Sequence, residues 1–141
     1  MFSQSCKYAI RAVLYLATRL SEGERIGAKA LGEALNIPAP FLAKILQDLS
    51  RKGLISSVKG PGGGFFLSED NQNVTLERIV ECIDGPEAMH GCVLGFTTCS
   101  SANPCPLHVQ AFAYREGLRY QLAHQTVREL ALRINRENIK L

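Results

Sequence analysis

The sequence lacks several features that would place it in common functional classes. No run of apolar residues approaches the ~18 that a membrane-spanning helix needs, and the N-terminal residues show no signal-peptide cleavage site. No set of side chains in the pattern assembles a nucleophile, a general base and an oxyanion site. Tryptophan is absent, although 46% of the residues are hydrophobic, which suffices for a core. We therefore expect a cytoplasmic protein that is not an enzyme.

Excess positive charge is small and unevenly distributed. The formal net charge is only +3. Residues 1–70 hold nine Lys and Arg against six Asp and Glu, whereas residues 71–141 hold seven against seven. The whole excess lies in the first half, so a polyanion should bind there. At 141 residues the chain makes one domain, or one domain with an appended arm.

The first half carries the pattern of a helix-turn-helix. A helix over residues 5–20 is predicted by apolar residues at helical spacing, namely Ile10, Val13, Leu14, Ala17 and Leu20. A short second helix ending near Asn36 should bury Ala30, Leu31, Ala34 and Leu35. After a tight connection over 37–40, a third helix over 40–52 should end at Gly53 and bury Phe41, Leu42, Ile45, Leu46 and Leu49.

The outward face of the third helix is the predicted recognition surface. Its positions are Ala39, Ala43, Lys44, Gln47, Ser50 and Arg51. The small residues permit close approach to DNA, while Lys44, Gln47 and Arg51 can donate hydrogen bonds to bases or phosphates. Taken alone, the segment fits a solvated face on an ordinary helical hairpin equally well.

The residues that follow favour the DNA-binding interpretation. Residues 54–58 and 65–68 are typical of two strands, and they flank a basic, glycine-rich tip. This hairpin predicts a wing whose tip approaches phosphates through Lys59, Gly60, Gly62 and Gly63. A nucleotide-binding loop is the rival, but it would need a Gly-Lys-Ser/Thr ending and a following helix. The order of helix, turn, helix and hairpin predicts a winged helix-turn-helix.

The second half is predicted to be helical on both sides of a cysteine-rich loop. Thr75 should cap a helix over 76–84, and Thr126 with Glu129 fits a capping box that opens a last helix ending near Asn135. Between them, a long helix over 106–122 carries an apolar stripe that should pack against a second copy of the chain. Its members are Leu107, Ala111, Tyr114, Leu118 and Leu122. The fold class is therefore mainly α, with a small β-hairpin wing and a long dimerisation helix.

The loop concentrates ligand-type side chains. Three cysteines and a histidine lie within 17 residues, spaced Cys92-x6-Cys99-x5-Cys105-x2-His108. Thiolates and a neutral imidazole are ligands that hold iron–sulfur clusters or zinc. Zinc sites usually contain two tight pairs, so the long gaps favour a cluster. Metal-free thiols or a disulfide switch stay open as alternatives. The other two cysteines, Cys6 and Cys82, are expected to be small core residues.

On these motifs the sequence resembles the IscR/NsrR-like winged-helix regulators of bacteria, also called the Rrf2 family. The resemblance covers almost the whole chain. It is carried by KYAIRA at 7–12, IPAPFLAKIL at 37–46, VKGPGGGF at 58–65, and the three cysteines with PLH at 106–108. It implies a homodimeric transcription regulator whose long helices form the dimer. Such a dimer should bind double-stranded DNA at a roughly palindromic operator.

The resemblance also implies an iron–sulfur cluster held by Cys92, Cys99 and Cys105, and we favour 2Fe–2S over 4Fe–4S for it. His108 looks like the histidine ligand of the IscR branch. The nitric-oxide-sensing branch instead uses an aspartate where this chain has Lys7, and that departure favours His108. A metal-free redox- or sulfur-sensing repressor of the same fold is the alternative function.

Other departures from the family pattern limit which residue roles the resemblance can assign to this chain. His90 is a nearby rival for the fourth ligand. Ala43 stands where IscR carries a recognition-helix glutamate, so IscR's target sequence is not expected here. Phe65 replaces the usual tyrosine after the glycines. We expect a DNA-binding domain over 1–84, a cluster-binding loop over 85–105, and a dimerisation helix with a C-terminal helix over 106–141.

Overall fold

A computed structural model describes residues 1–19 and 24–141 of the chain. In chain order the elements are α1 (Gln4–Thr18), α2 (Ala28–Leu35), α3 (Ala39–Arg51), β1 (Ser56–Val58), β2 (Gly64–Phe66), α4 (Glu69–Gln72), α5 (Leu76–Asp84), α6 (His108–His124) and α7 (Val127–Glu137). The prediction of a mainly α fold with one β-hairpin is confirmed. Within the described ranges, no helix has both the length and the apolar character that a membrane crossing requires.

One aliphatic core joins α1, α2, α3, the wing and α7. At its centre Ala9, Ala12 and Val13 of α1 are fully buried. Of the stripe predicted from helical spacing, Val13, Leu14 and Ala17 are buried and Ile10 is half-buried. Leu20, which the same spacing assigned to this stripe, lies outside the described residues. The last helix packs back on α1 and adds Val127 to the core. Burial of this apolar surface is the main force that holds the helices together.

A smaller cluster joins α1, α5 and α6. It consists of Cys6, Val80, Met89 and Leu122. Cys6 is fully buried, and Cys82 is half-buried against the main core, as expected for small core residues. Burial, with the nearby Asp84 carboxylate, raises the pKa of the Cys6 thiol to about 12. Cys6 is therefore an inert packing residue at neutral pH.

The helix-turn-helix forms as predicted, with two corrections to its buried faces. Gly32 packs so closely on the turn that a Cβ there would lie 2.6 Å from the Ile37 carbonyl oxygen. The buried side of α2 consists of Leu31, Gly32 and Leu35, whereas Ala30 and Ala34 are exposed. Both alanines were wrongly predicted to point inward.

The second correction concerns Phe41, which was predicted to be buried and is 63% exposed. It lies in the first turn of α3, about a quarter turn from the centre of the buried stripe. That stripe consists of Leu42, Ile45, Leu46 and Leu49, as predicted. Gly53 follows the end of the helix with φ +72°, a left-handed conformation that favours glycine.

The wing is shorter than the sequence predicted. β1 and β2 pair antiparallel over three residues each, with Val58 opposite Gly64. The apolar residues predicted within the strands, Leu54, Ile55 and Leu67, are buried in the core instead. Because core packing pulls them out of the ladder, pairing begins only at Ser56. A backbone bridge between Ile26 and Phe65 anchors the returning strand to the residues before α2.

The helices after the wing match their predicted positions closely. The capping box of Thr126 and Glu129 at the start of α7 is confirmed. Thr75 occupies the N-cap of α5, but its hydroxyl makes no capping hydrogen bond. Its backbone instead bridges to Thr126, which ties the starts of α5 and α7 together. The short helix α4 was not predicted.

Part of the apolar stripe predicted on α6 packs within the same chain, whereas the whole stripe was expected to face a second copy. Leu122 is buried and Leu118 half-buried, both in the cluster with α5 of the same chain. Leu122 is therefore not available to a second copy, and its assignment to a dimer stripe was wrong. Other large apolar side chains of α6 are exposed, namely Val109, Phe112, Tyr114 and Tyr120.

Candidate metal centre and nucleic-acid interface

The cysteine-rich loop is held by its own turns. After α5 ends at Asp84, a backbone hydrogen bond from the Gly95 N–H to the Cys92 carbonyl closes one turn. Ser100 and Asn103 exchange backbone hydrogen bonds, and the Asn103 amide donates to the Thr98 carbonyl. The turn-forming residues of this segment thereby bend the chain back on itself. The three cysteines, far apart in sequence, are brought to one place.

The three thiols of this loop form a compact cluster of possible ligands. The Sγ atoms of Cys92, Cys99 and Cys105 all lie within 4.8 Å of one another. The Cys92 and Cys105 sulfurs are 3.7 Å apart. Cys105 is buried and the other two are half-buried, and all three are free thiols. Sulfurs that converge in this way fit a thiophilic metal or cluster.

The surroundings shift the thiol pKa values of Cys92 and Cys105 in opposite directions. Burial raises the pKa of the Cys92 thiol, but backbone hydrogen bonds from Phe96 and Leu94, with those of the other two thiols, outweigh it. The net effect lowers this pKa from 9.0 to about 7. Burial raises the pKa of Cys105, and the neighbouring sulfurs raise it further. Cys92 is thus more readily deprotonated than Cys105, which suits both metal ligation and nucleophilic attack.

His108 lies at the edge of the thiol cluster. It is the first residue of α6, in the first helical turn where the sequence placed it. Its Nδ1 lies 3.1 Å from the Cys99 sulfur. The ring also stacks on Phe112, with 6.3 Å between ring centroids. The three sulfurs are the donors that converge on one place, and the imidazole nitrogen lies beside one of them. Thiolate and imidazole are donor types that fit an iron–sulfur cluster.

The rival His90 is exposed near the start of the loop. Among the described residues, the imidazole that lies within hydrogen-bond distance of a loop thiol, Cys99, is that of His108. The His90 carbonyl oxygen instead accepts a hydrogen bond from Arg115 of α6 at 3.3 Å. Arg115 also donates to the Gly91 carbonyl oxygen. This guanidinium holds the backbone next to Cys92, and nothing in the sequence pattern indicated that role.

The candidate nucleic-acid interface combines α3 with the wing. An open cleft of about 570 Å³ lies between them, and it is lined by Gln47, Ser50, Arg51, Ser57, Val58, Lys59, Gly64 and Phe65. The hydroxyls of Ser50 and Ser57 lie 3.0 Å apart and link the helix to the wing. Three predicted DNA contacts, Gln47, Arg51 and Lys59, thus share one cleft.

The remaining predicted contacts lie around this cleft. Lys44 is exposed on the same side of α3, and Ala39 is half-buried at the start of the helix. At the wing tip Gly60 and Gly62 are exposed, both with positive φ. Gly63 is half-buried, and a Cβ there would lie 2.1 Å from the Val58 carbonyl oxygen. The tight tip therefore requires glycine at this position.

A buried polar residue that sequence reasoning missed supports the wing. Asn71 in α4 is only 5% exposed. Its Oδ1 accepts hydrogen bonds from the Ser56 hydroxyl at 2.7 Å and the Ser68 backbone at 2.9 Å, and its Nδ2 donates to the Gly53 carbonyl oxygen at 3.0 Å. One side chain thereby connects the end of α3, the first strand and α4. Ser68 followed three residues later by an amide side chain was the local signal, since this pair forms a capping box.

The chain is similar to transcriptional regulators. A family model described as "Rrf2: Iron-dependent Transcriptional regulator" matches residues 2–133. A protein of Aquifex aeolicus that carries the name of an HTH-type transcriptional regulator is 36% identical over 110 residues, which are 77% of this chain and 75% of that protein. Because these relatives are regulators, the prediction that the chain is not an enzyme is confirmed.

Solved structures share the fold. The structure titled CymR (YrzC), the global cysteine regulator of B. subtilis, superposes with a TM-score of 0.73 at 21% identity, covering 93% of this chain and 95% of that one. The T. potens IscR structure superposes with a TM-score of 0.72 at 18% identity, covering 100% and 92%. At these identities the likeness concerns the fold alone, and it confirms the winged-helix architecture.

Proposed function

This chain belongs to the Rrf2 family of transcriptional regulators, and from that premise we propose that it is a homodimer whose operator affinity is controlled by an iron–sulfur cluster. It would act in the cytoplasm, where thiols are kept reduced. The ligands in this proposal are Cys92, Cys99, Cys105 and His108, and the expected cluster is of the 2Fe–2S kind. The operator would be double-stranded DNA of roughly palindromic sequence.

The convergence of three free sulfurs within 4.8 Å carries the proposal. Turn hydrogen bonds bring them together without a disulfide, beside an imidazole nitrogen 3.1 Å from the Cys99 sulfur. The description of the matching family model as iron-dependent supports the same chemistry. The charge of a bound cluster would respond to redox conditions, and the occupancy of the site would respond to iron supply.

The loop is placed to influence both halves of the molecule. Cys105 lies three residues before the start of α6, and Met89 anchors the other end of the loop in the cluster shared by α1, α5 and α6. A change in how the thiols are held would shift the start of α6 relative to α1 and α5. If the two ligand states differ in DNA affinity, DNA must alter ligand retention by the same factor.

The functional divisions follow from this arrangement. We assign residues 1–84 to the DNA-binding domain, 85–105 to the cluster-binding loop, and 106–141 to the dimerisation helix and C-terminal helix. Exposed apolar side chains on α6 support dimerisation through that helix, because they would otherwise face water. The helix α7 packs back on α1, so it would link the dimer arm to the DNA-binding domain.

Anaerobic purification followed by iron and sulfide analysis tests the proposal. We expect a coloured protein with iron and sulfide in equal amounts, whose affinity for a selected operator changes when a chelator strips the metal. Operators would be selected from a random duplex library with the loaded and the stripped protein in parallel. A colourless protein without iron, or identical DNA binding in both states, would contradict the cluster mechanism.

A metal-free thiol switch is the second candidate, favoured by one specific observation. The Cys92 and Cys105 sulfurs lie 3.7 Å apart, and the lowered pKa of Cys92 makes it the nucleophile. Oxidation by a peroxide would join the two sulfurs, remove two electrons and two protons from the thiols, and reduce the peroxide to water. Treatment of the metal-free protein with peroxide should then give a Cys92–Cys105 disulfide, detected by mass spectrometry after alkylation, together with altered DNA affinity.

A further inference from the structure

The exposed aromatic ring of Phe41 has no role in the core. It is 63% exposed, although the adjacent Leu42 is fully buried. Single exposed aromatic residues are common on protein surfaces, so exposure alone says nothing about function. The position and chemistry of this ring are what carry the inference.

Phe41 lies on the exposed side of the candidate recognition helix. Along α3 the exposed residues are Pro40, Phe41, Lys44, Gln47 and Arg51. Phe41 and Lys44 are three residues apart and therefore neighbours on the helix surface. Ten residues separate Phe41 from Arg51, which places them about 15 Å apart along the helix axis.

The two ends of the exposed side of α3 differ in chemistry. The C-terminal end is basic and faces the wing, since Arg51 and Lys59 line the same cleft. The N-terminal end carries Pro38, Pro40 and Phe41, all exposed and none able to donate a side-chain hydrogen bond. In helix-turn-helix proteins the N-terminal residues of the recognition helix contact base edges in the major groove. The apolar end of α3 is thus the end expected to meet bases.

Only one feature of the major groove suits such a surface. The edges of guanine, adenine and cytosine present donors and acceptors there, whereas thymine also presents its C5-methyl group. A phenyl ring offers neither donor nor acceptor and gains free energy by covering a methyl group. We propose that Phe41 is a specificity-determining residue that selects thymine in each half-site by packing on its C5-methyl group. The proposal rests on the proposed DNA-binding function and adds a base preference to it.

Replacement of thymine by deoxyuridine tests this contact, because it removes the methyl group and leaves the pairing unchanged. The full chain, in whichever ligand state binds DNA, is first used to select a duplex from a random library. Each thymine of that duplex is then replaced singly by deoxyuridine. We expect wild-type protein to lose about fourfold in affinity at one thymine of each half-site, the effect of one buried methyl group.

The variants distinguish a base contact from other roles of the ring. Phe41→Ala should bind more weakly and show no response to deoxyuridine at that thymine, while Phe41→Leu should retain part of the response. Lys44→Ala serves as the matched control, since it should lose affinity yet keep the response to the methyl group. Thermal unfolding followed by circular dichroism should give similar midpoints for Phe41→Ala and wild type, because the ring is exposed.

Each of three results would overturn the proposal. A wild-type protein that tolerates deoxyuridine at every thymine makes no methyl contact. A Phe41→Ala protein that keeps the wild-type response to deoxyuridine shows that another residue contacts the methyl group. If Phe41→Ala instead lowers the affinity equally for the thymine and deoxyuridine duplexes, the ring packs on the sugar. If no duplex is selected at all, the proposed DNA-binding function itself fails, which is a distinct outcome.

Discussion

The cysteine side chains of the loop owe their chemistry to one another. Each thiol alone would have an ordinary thiol pKa. With the three sulfurs within 4.8 Å of one another, hydrogen bonds lower the pKa of Cys92, whereas burial and the neighbouring sulfurs raise the pKa of Cys105. Cys92 becomes the easier thiol to deprotonate and Cys105 the harder one. A divalent metal or a cluster binds thiolates, so its binding must release protons from this set.

Serine at any of the three loop cysteines should abolish metal retention. A serine hydroxyl is a much poorer ligand for iron than a thiolate, and the thiolates supply most of the negative charge of the site. We expect Cys92→Ser, Cys99→Ser and Cys105→Ser proteins, purified anaerobically, to lose most of their bound iron and sulfide. Cys82→Ser is the control, because this thiol packs on the core outside the loop. Wild-type iron content in any of the three loop variants would remove that cysteine from the ligand set.

Alanine at His108 should have a milder effect than loss of a thiolate. Its imidazole is a neutral donor, and water or another side chain can replace it in part. We expect His108→Ala to give a labile site with an altered absorption and electron paramagnetic resonance spectrum, while His90→Ala keeps the wild-type spectrum. The opposite pattern would transfer the ligand role to His90.

The basic residues of the interface should separate into two kinds. Lys59 and Arg51 lie at the cleft between wing and helix, where they would contact phosphates. Alanine at either position should weaken binding to all duplexes and reduce the slope of log affinity against log salt by about one unit. Lys44→Ala and Gln47→Ala should instead change the selected sequence. Salt titrations with Lys140→Ala as a surface control would check this, and an unchanged slope for Lys59→Ala would place the wing away from DNA.

At the scale of elements, the wing is a small unit that a buried amide helps to hold in place. Its two strands pair over only three residues each, which is marginal for an isolated hairpin. Asn71 supplies the missing rigidity through bonds to Gly53, Ser56 and Ser68. The wing and the end of α3 are thereby held at a set angle, which determines the width of the cleft between them.

Removal of the Asn71 amide should therefore destabilise the fold and loosen the wing. Asn71→Ala leaves the Gly53 carbonyl, the Ser68 backbone N–H and the Ser56 hydroxyl without their partner. An unsatisfied polar group costs about 1–3 kcal/mol where it is buried. We expect a lower urea midpoint and weaker operator binding. Asn73→Ala is the matched control, since that side chain is exposed and makes only one long hydrogen bond. Equal urea midpoints for the two variants would show that Asn71 does not support the wing.

At the scale of the whole molecule, one side of α6 packs on the chain's own α5 and the opposite side is exposed. Its Leu118 and Leu122 pack on the chain's own α5, whereas Val109 and Tyr120 lie 70% and 60% exposed. Gly117, on the exposed side, leaves open space where a side chain would be. An exposed face with large apolar residues around a glycine suits close packing against a second helix.

A charge on this exposed face should break the dimer. Tyr120→Glu would bury a carboxylate in an apolar interface, so light scattering after size exclusion should show a monomer where wild type is a dimer. The monomer should protect a single half-site in footprinting, whereas the dimer protects two, about one or more helical turns apart. Leu132→Glu on α7, also an exposed apolar position, should remain dimeric. A dimeric Tyr120→Glu protein would place the interface on another face.

Some predictions about which residues are buried were wrong because burial depends on which elements pack against one another. Periodicity located the stripe of α6 but could not tell that α5 would cover Leu122. The same limit applies to Phe41, whose spacing matches a buried stripe although its place in the first turn leaves the ring in solvent. Asn71 and Arg115 escaped notice because a polar residue shows its role only through the distant backbone groups that it contacts.

The sequence by itself determined the winged helix-turn-helix and the ligand types of the loop. Helical periodicity, the turn around Pro38, the glycines of the wing tip and the capping box at Thr126 are local features, and each acts over a few residues. Tertiary structure decided which sulfurs meet, that His108 lies against Cys99, and which face of α6 stays free. Those outcomes depend on long-range contacts between α1, α5, α6 and the loop, and no spacing along the chain encodes the distances between them.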